Sequence, residues 1–423
     1  TVLATAKEPP DPPFDPVPTH GASDVDEILP ITLAWTGSDP AGEDLVFDVY
    51  FGATLGSVDQ IATGQTDTTL VVPGPFERNS HYFWRVVARD RTGVSARSAI
   101  WGFNTPVDRD TIPEGNFVMG DTLKYLDPDS TRLNPLWHPG NPIPISFAYS
   151  LDRYLVTNQQ YADFLNQKLS RDGIYLADDE VWDPGVENIW IRISPADTDC
   201  DISFSVADSA FVVDEGREKF PVVQVTWFGA NAYARFYDRR LPRESEWEKA
   251  ARGTNDDMLG SVVYGETDTL GLGYPYPWGA WTGDRDLNRG NFRNCGDPYE
   301  NEGRVRTTPV GFSDGSVRLG YQTGNGASPF GVSDMSGNVW EWTDDWHADY
   351  QSPHVPPATG QFRVIRGGSF DKSYGSAATW NRCRSSVRCT TSWSSSVVRR
   401  RRISACWRED SVSCWICSVR IRR

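Results

Sequence analysis

Residues 220–253 constrain this chain more than any other stretch. Phe220-Pro-Val-Val-Gln-Val reads as a short strand, and the segment from Trp227 carries Ala230, Tyr233 and Ala234 at helical spacing. Pro242 then restarts a second helix that runs through Trp247, Ala250 and Ala251 and stops at Gly253, a residue suited to the position just past a helix end.

With 423 residues the chain exceeds one ordinary core, so two or three domains are expected. Its 37 Gly and 29 Pro fit a loop-rich architecture. Twelve of 41 basic residues, but two of 57 acidic ones, lie from Lys372 onward, which leaves a strongly acidic body. An acidic body excludes nucleic acid and anionic membranes as expected partners and suits cation binding. No apolar run is long enough for a transmembrane helix. Residues 1–12 read as a linker, and the Pro-rich stretch Glu8–Pro18 as an extended tether. The expectation is an extracytoplasmic protein, trimmed at its N-terminus and tethered to a cell surface.

Residues 13–106 read as short strands with frequent turn signals, a β-sandwich pattern. From Tyr82 to Ala88 alternate residues Tyr82, Trp84, Val86 and Ala88 share one face. Trp35, the segment from Phe76 to Tyr82, and the ending Trp101-Gly102-Phe103 resemble a fibronectin type III domain. That resemblance implies a spacer or adhesive module.

Residues 114–371 carry seven ordered segments. Arg153-Tyr-Leu-Val-Thr157-Asn158-Gln-Gln-Tyr161-Ala-Asp-Phe164-Leu165 opens a helix with Thr157 as its cap. The 220–253 segment follows, then Tyr276-Pro-Trp-Gly279, Asn291-Phe292 and Thr308-Pro-Val-Gly311. Phe330-Gly-Val-Ser-Asp334-Met-Ser-Gly337-Asn338-Val-Trp340-Glu341-Trp342 and Arg363-Val-Ile-Arg366-Gly367-Gly368-Ser369-Phe370 complete the set. Together these resemble the formylglycine-generating-enzyme (sulfatase-modifying factor) family. The resemblance implies an irregular α+β fold related to C-type-lectin-like domains, in which Glu244, Glu246 and Trp247 organise the fold.

It also implies calcium. A hard cation takes six to eight oxygens, and Asp334, Gly337, Val339 and Glu341 stand at one family site. Asn291, Phe292, Glu302 and Arg304 stand at a second. Asp284-Arg-Asp286-Leu-Asn288 opens like an EF-hand loop, but Arg289 and Cys295 occupy the positions that need Gly and Glu, so that reading is rejected. In active family members two cysteines after the Gly-Gly-Ser turn bind copper, and one engages a substrate cysteine. Here those positions hold Lys372 and Ala377, while Ser369 and Trp340 match the active-site surroundings. The expectation is a non-catalytic, calcium-stabilised module with a protein or glycan ligand. The alternatives are a copper-dependent oxygenase and a variable ligand-binding receptor.

Residues 372–423 change character, with 11 Arg, 12 Ser, 5 Cys and 4 Trp. A shifted reading frame after Phe370, with loss of the family's closing strand, is the expectation for this tail.

Overall fold

The computed structural model describes residues 8–120, 143–253, 276–279, 284–300, 306–348, 355–373 and 382–386, apart from 23–24, 55–56, 79, 107, 118, 172, 187, 194–199 and 208. It also describes the strand pieces 262–263, 266–267, 414–415 and 419–420. Thr1–Asp108 and Arg109–Arg423 form two compact units.

The first unit is built from two antiparallel sheets. One orders Phe14–Val17, Ile31–Thr36 and Thr69–Val72; the other centres on His81–Arg89, flanked by Val46–Thr54 and Trp101–Asn104. The alternation read from sequence sets the burial: Tyr82, Trp84, Val86 and Ala88 face a core shared with Leu33, Trp35, Phe47 and Phe103. The Tyr82 hydroxyl accepts from Glu77 N at 3.0 Å, which pins the turn before the strand.

His81 lies buried on the opposite face of the strand against Phe83, its Nδ1 2.8 Å from Asn104 Oδ1. Burial pulls its pKa down to about 4, against the Asn104 hydrogen bond. The unfolded chain therefore binds more protons than the folded one between pH ~6.5 and ~4. Stability of this unit is expected to fall by about 3 kcal/mol as pH drops through that window, and to stop falling below it. Amide exchange across His81–Arg89 at pH 7 and pH 4.5 measures the loss, and His81→Gln should flatten it.

The second unit is α+β with short, irregular sheets. Helix α1 (Asn158–Arg171) starts on a reciprocal cap. Thr157 Oγ1 accepts from Gln160 N at 3.2 Å, and Gln160 Oε1 accepts from Thr157 N at 2.9 Å. Its inward residues Tyr161, Phe164 and Leu165 are fully buried. Helix α2 (Trp227–Phe236) is capped by Thr226, whose Oγ1 accepts from Gly229 N. Phe164 and Tyr233 meet edge to face between the two helices.

Helix α3 (Glu244–Arg252) begins after Pro242, where Glu246 Oε2 accepts from Arg243 N at 2.8 Å. Asp345 Oδ2, from the strand Trp340–Trp346, accepts from Glu244 N at 2.6 Å, so a carboxylate sits at the helix N-terminus. Gly253 ends the helix at φ 85°. The inward face of α3 carries charge rather than a plain apolar stripe: Glu244, Glu248, Lys249 and Arg252 are all buried.

Strand Trp340–Trp346 pairs antiparallel with Phe362–Arg366, Glu341 opposite Arg366. Cys383–Ser386 pairs with the far edge of Phe362–Arg366, and Arg382 beside it bonds Glu244 at 2.6 and 2.9 Å. Cys414–Trp415 runs parallel to Trp340–Glu341, and Val419–Arg420 pairs with Ser150–Leu151. The tail thus contributes backbone to edges that would otherwise leave buried N–H and C=O groups unpaired. Asp284–Arg289, the rejected EF-hand start, is a single 3₁₀ helix.

Candidate functional site

The predicted site residues converge on the turn between Asp334 and Glu341. Three residues there adopt left-handed backbone: Asp334 at φ 60°, Gly337 at 84° and Asn338 at 58°. The turn is braced from three sides. Gly337 N donates to Gly367 O, Asn338 N to Asn291 O, and Phe370 N to Asn338 O, each within 2.9 Å. The Asn338 side chain closes the remaining side, accepting from Thr308 N at 3.1 Å and donating to Thr308 O at 3.2 Å. Gly337 is required by space as well as φ, because a Cβ there would lie 2.4 Å from Asn291 O.

Gly367, at φ 96°, opens a small cradle under this turn. A point at the position of a Cβ on Gly367 lies 3.6 Å from Val339 O, 3.7 Å from Glu341 Oε1 and 3.4 Å from Trp247 Cζ2. A backbone carbonyl and a buried carboxylate oxygen thus both lie within van der Waals reach of one point beside Gly367, two of the six to eight oxygens a hard cation takes. Glu341 Oε2 accepts from Trp247 Nε1 at 2.7 Å. Asp334 turns the other way, its Oδ2 accepting from Gly311 N at 2.6 Å. Burial pushes the Asp334 carboxyl up to about 6, with the Gly311 N–H opposing. Gly337 O accepts from Val339 N at 2.7 Å within the turn. The structure thus brings Val339 and Glu341 to one gap, with Gly337 and Asp334 on the same loop. Among the described residues no group of three or more His, Cys, Asp or Glu is placed to hold a metal, so this site would depend on backbone oxygens.

Of the second predicted set, Asn291 and Phe292 abut the same turn, whereas Glu302 and Arg304 lie outside the described residues. Asn291 Nδ2 donates to Arg306 O at 2.7 Å, and Phe292 O accepts from Cys295 N. Cys295 was not singled out by sequence reasoning. Its thiol donates to Asp297 Oδ2 at 2.9 Å and lies 4.0 Å from Asn291 Oδ1, and burial pushes it up to about 12. A lone Cys in a loop carries no periodic signal that would have marked it.

Ser369 is fully buried, its Oγ donating to Asp371 Oδ1 at 2.5 Å. Lys372 Nζ lies 3.4 Å from Asp371 Oδ2, and Lys372 O accepts from Arg293 N. Trp340 is buried, and its Nε1 has no hydrogen-bond partner among the described residues. Ala377 lies outside the described residues.

The family model described as "Sulfatase-modifying factor enzyme 1-like domain" matches residues 104–398. The chain belongs to this family. The match covers α1 to α3, the Gly337 turn, the Gly367 cradle and the strand Cys383–Ser386. A relative named formylglycine-generating enzyme, from Thermomonospora curvata, is 30% identical over 282 residues, spanning 61% of this chain and 81% of that protein. A relative from Chlamydia caviae, named serine/threonine-protein kinase pkn1, is 30% identical over 239 residues and 55% of this chain. The chain spans only 29% of that kinase's length. The structure of PvdO from Pseudomonas aeruginosa is similar at 20% identity and a TM-score of 0.43, covering 74% of this chain and 94% of that one. Among the described residues of this family member, no helix is long and apolar enough to cross a membrane.

Proposed function

We propose that the second unit is a non-catalytic, calcium-stabilised binding or scaffold module of the sulfatase-modifying factor family. The observation that carries this reading is the charged cluster after the Gly-Gly-Ser turn. Ser369 bonds Asp371, and Asp371 faces Lys372, where active members have a copper-binding thiol. An ammonium is not a ligand for Cu(I), which wants soft thiolates. Calcium would be held by Glu341 and the Val339 carbonyl, joined by Asp334 and the Gly337 carbonyl only if these gave up their bonds to Gly311 N and Val339 N, and would brace the turn rather than react. A second calcium would use Asn291, Phe292, Glu302 and Arg304. On this reading the unit is related to C-type-lectin-like domains. The first unit is then a fibronectin type III-like spacer that presents it outside the cytoplasm to a protein or glycan ligand.

Calcium is expected to raise the melting temperature of the second unit. At a hundredfold excess over Kd the stabilisation is about 2.7 kcal/mol, a shift of a few degrees. Glu341→Gln should lose most of that increment, Asp334→Ala should lose it only if Asp334 turns to the ion, and a chelator should reverse it in the parent protein. An unchanged melt in chelator and calcium alike would count against calcium.

The name of the Thermomonospora relative favours a second reading, a copper-dependent oxygenase that converts a sulfatase cysteine to formylglycine. Incubation with Cu(I), O₂ and a Cys-x-Pro-x-Arg peptide separates the two. Conversion of the peptide cysteine, read by mass spectrometry, would overturn the non-catalytic reading.

A further inference from the structure

Asp163 lies on α1 one turn after Gln159 and is 1% exposed. Its Oδ1 accepts from Gln159 Nε2 at 2.8 Å, while its Oδ2 is buried with no hydrogen-bond partner among the described residues. Across from it stands the C-terminal end of α2, where the phenols of Tyr233 and Tyr237 are close enough to feel its charge. Those two rings meet at 4.9 Å between centroids, and Tyr233 also packs on Tyr161 and Phe164 of α1. Burial keeps both phenols well above their ordinary pKa, so both stay neutral.

An ionised carboxylate taken out of water needs a cation or several N–H donors; without them it takes up a proton. Asp163 has one neutral amide. The cations nearby in the fold are engaged elsewhere. Lys168 Nζ stands over the Phe236 ring, 5.3 Å from its centroid. Arg239 lies 5.9 Å from the Tyr237 ring centroid and is bonded to Asp152 at 2.7 Å, which Arg109 also approaches at 3.6 Å. Gln167, one turn further along α1, reaches the Tyr237 hydroxyl. Among the described residues no cation acts on Asp163, and burial pushes its carboxyl up to about 8, with the Gln159 hydrogen bond opposing.

We propose that Asp163 is carried as a neutral acid in the seam between α1 and α2, and that its ionisation opens this seam at mildly alkaline pH. The packing carries this inference, which is independent of any metal or ligand. The folded chain holds a proton here that the opened chain, with an ordinary carboxyl near pH ~4, gives up. Stability of the seam is therefore greatest in acid and falls as pH rises toward ~8, then levels off where both forms are ionised. Asp334 and Asp345, which burial raises to about 6, add a change of the same sign at lower pH. From pH ~6.5 to ~8 the opened form should gain about fifteenfold through Asp163.

The test uses the full chain and Asp163→Asn, which keeps the shape and the Gln159 bond but cannot ionise. Amide exchange of α1 peptides is read by mass spectrometry at pH ~6.5 and ~8 and corrected for the intrinsic pH dependence of exchange. In the parent the opening of α1 should rise about fifteenfold over this interval, with α3 peptides changing less. In Asp163→Asn it should change by less than about twofold. A parent that opens equally at both pH values overturns the proposal, as does an Asp163→Asn variant with the slope of the parent. Equal loss of protection in α1 and α3 overturns the seam as the element that opens. If Asp163→Asn does not fold, the aspartate carboxyl carbon resonances of the parent give the second readout. One that titrates between pH ~7 and ~9 supports the proposal, and none in that interval refutes it.

Discussion

Arg366→Ala is expected to destabilise the second unit by about 3–5 kcal/mol, the range for removing one partner of a buried ion pair. Arg366 is fully buried and bonds Glu248, with Glu244 3.5 Å away. Glu248 also takes Arg252 at 2.7 Å and Gly120 N at 2.6 Å, and Glu244 takes Arg382 at 2.6 Å. Three guanidinium groups thus share two carboxylates out of water, with Arg366 between the two. Removing the central one strips the buried Glu248 Oε2 of its Arg366 partner and leaves the space of a large buried side chain unfilled. The network also links α3, the strand Phe362–Arg366 and the stretch at Arg382, so its loss loosens the ground under Trp247. Urea unfolding followed by tryptophan fluorescence measures the change. The double variant Arg366→Met with Glu248→Met should not recover it, because the buried Arg252 would then lose its carboxylate as well. A single variant within 1 kcal/mol of the parent would show that the cluster is hydrated and ordinary.

Gly337→Ala should cost about 2–5 kcal/mol. Backbone in the left-handed region costs an L-residue about 1–2 kcal/mol, and overpacking a rigid site adds about 1–3 kcal/mol. Gly337 sits at φ 84°, and an added methyl would meet Asn291 O at 2.4 Å and the Phe292 ring at 2.6 Å. Both neighbours are fixed, since Asn291 O accepts from Asn338 N and Phe292 is fully buried. The variant should also lose the calcium increment, because Val339 and Glu341 follow directly from this turn. Gly315→Ala is a fit control: it has a similar φ of 89° but its nearest neighbour is 3.7 Å away, so it should pay the backbone cost alone.

Much of the second unit was legible in the chain. The spacing of Tyr161, Phe164 and Leu165, the Thr157 cap, the restart after Pro242 and the stop at Gly253 all appear in the structure as read. Family membership was legible too, from the ordered segments, and residues 104–398 match the family. For the tail, the missing Gly-Phe-Arg ending pointed to a shifted reading frame; its described pieces Cys383–Ser386, Cys414–Trp415 and Val419–Arg420 pair with three strands of the unit. Composition reports what a segment prefers in isolation, and pairing depends on which edges the rest of the domain leaves open.

The amino-acid sequence by itself determined the helices, their caps and the alternation of His81–Arg89. Each of these depends on residues within a turn or a strand of one another, and 3.6-residue and two-residue periods are visible in one dimension. Only the tertiary structure decided that Trp247 would hold Glu341, that Arg366 would lie between Glu244 and Glu248, and that Val339 and Glu341 would face one gap over Gly367. Those contacts join segments 26–122 residues apart, set by strand register and by how α3 packs on the sheet. No local pattern carries that information, because the free energy that selects it comes from burying and pairing charges contributed by distant parts of the chain.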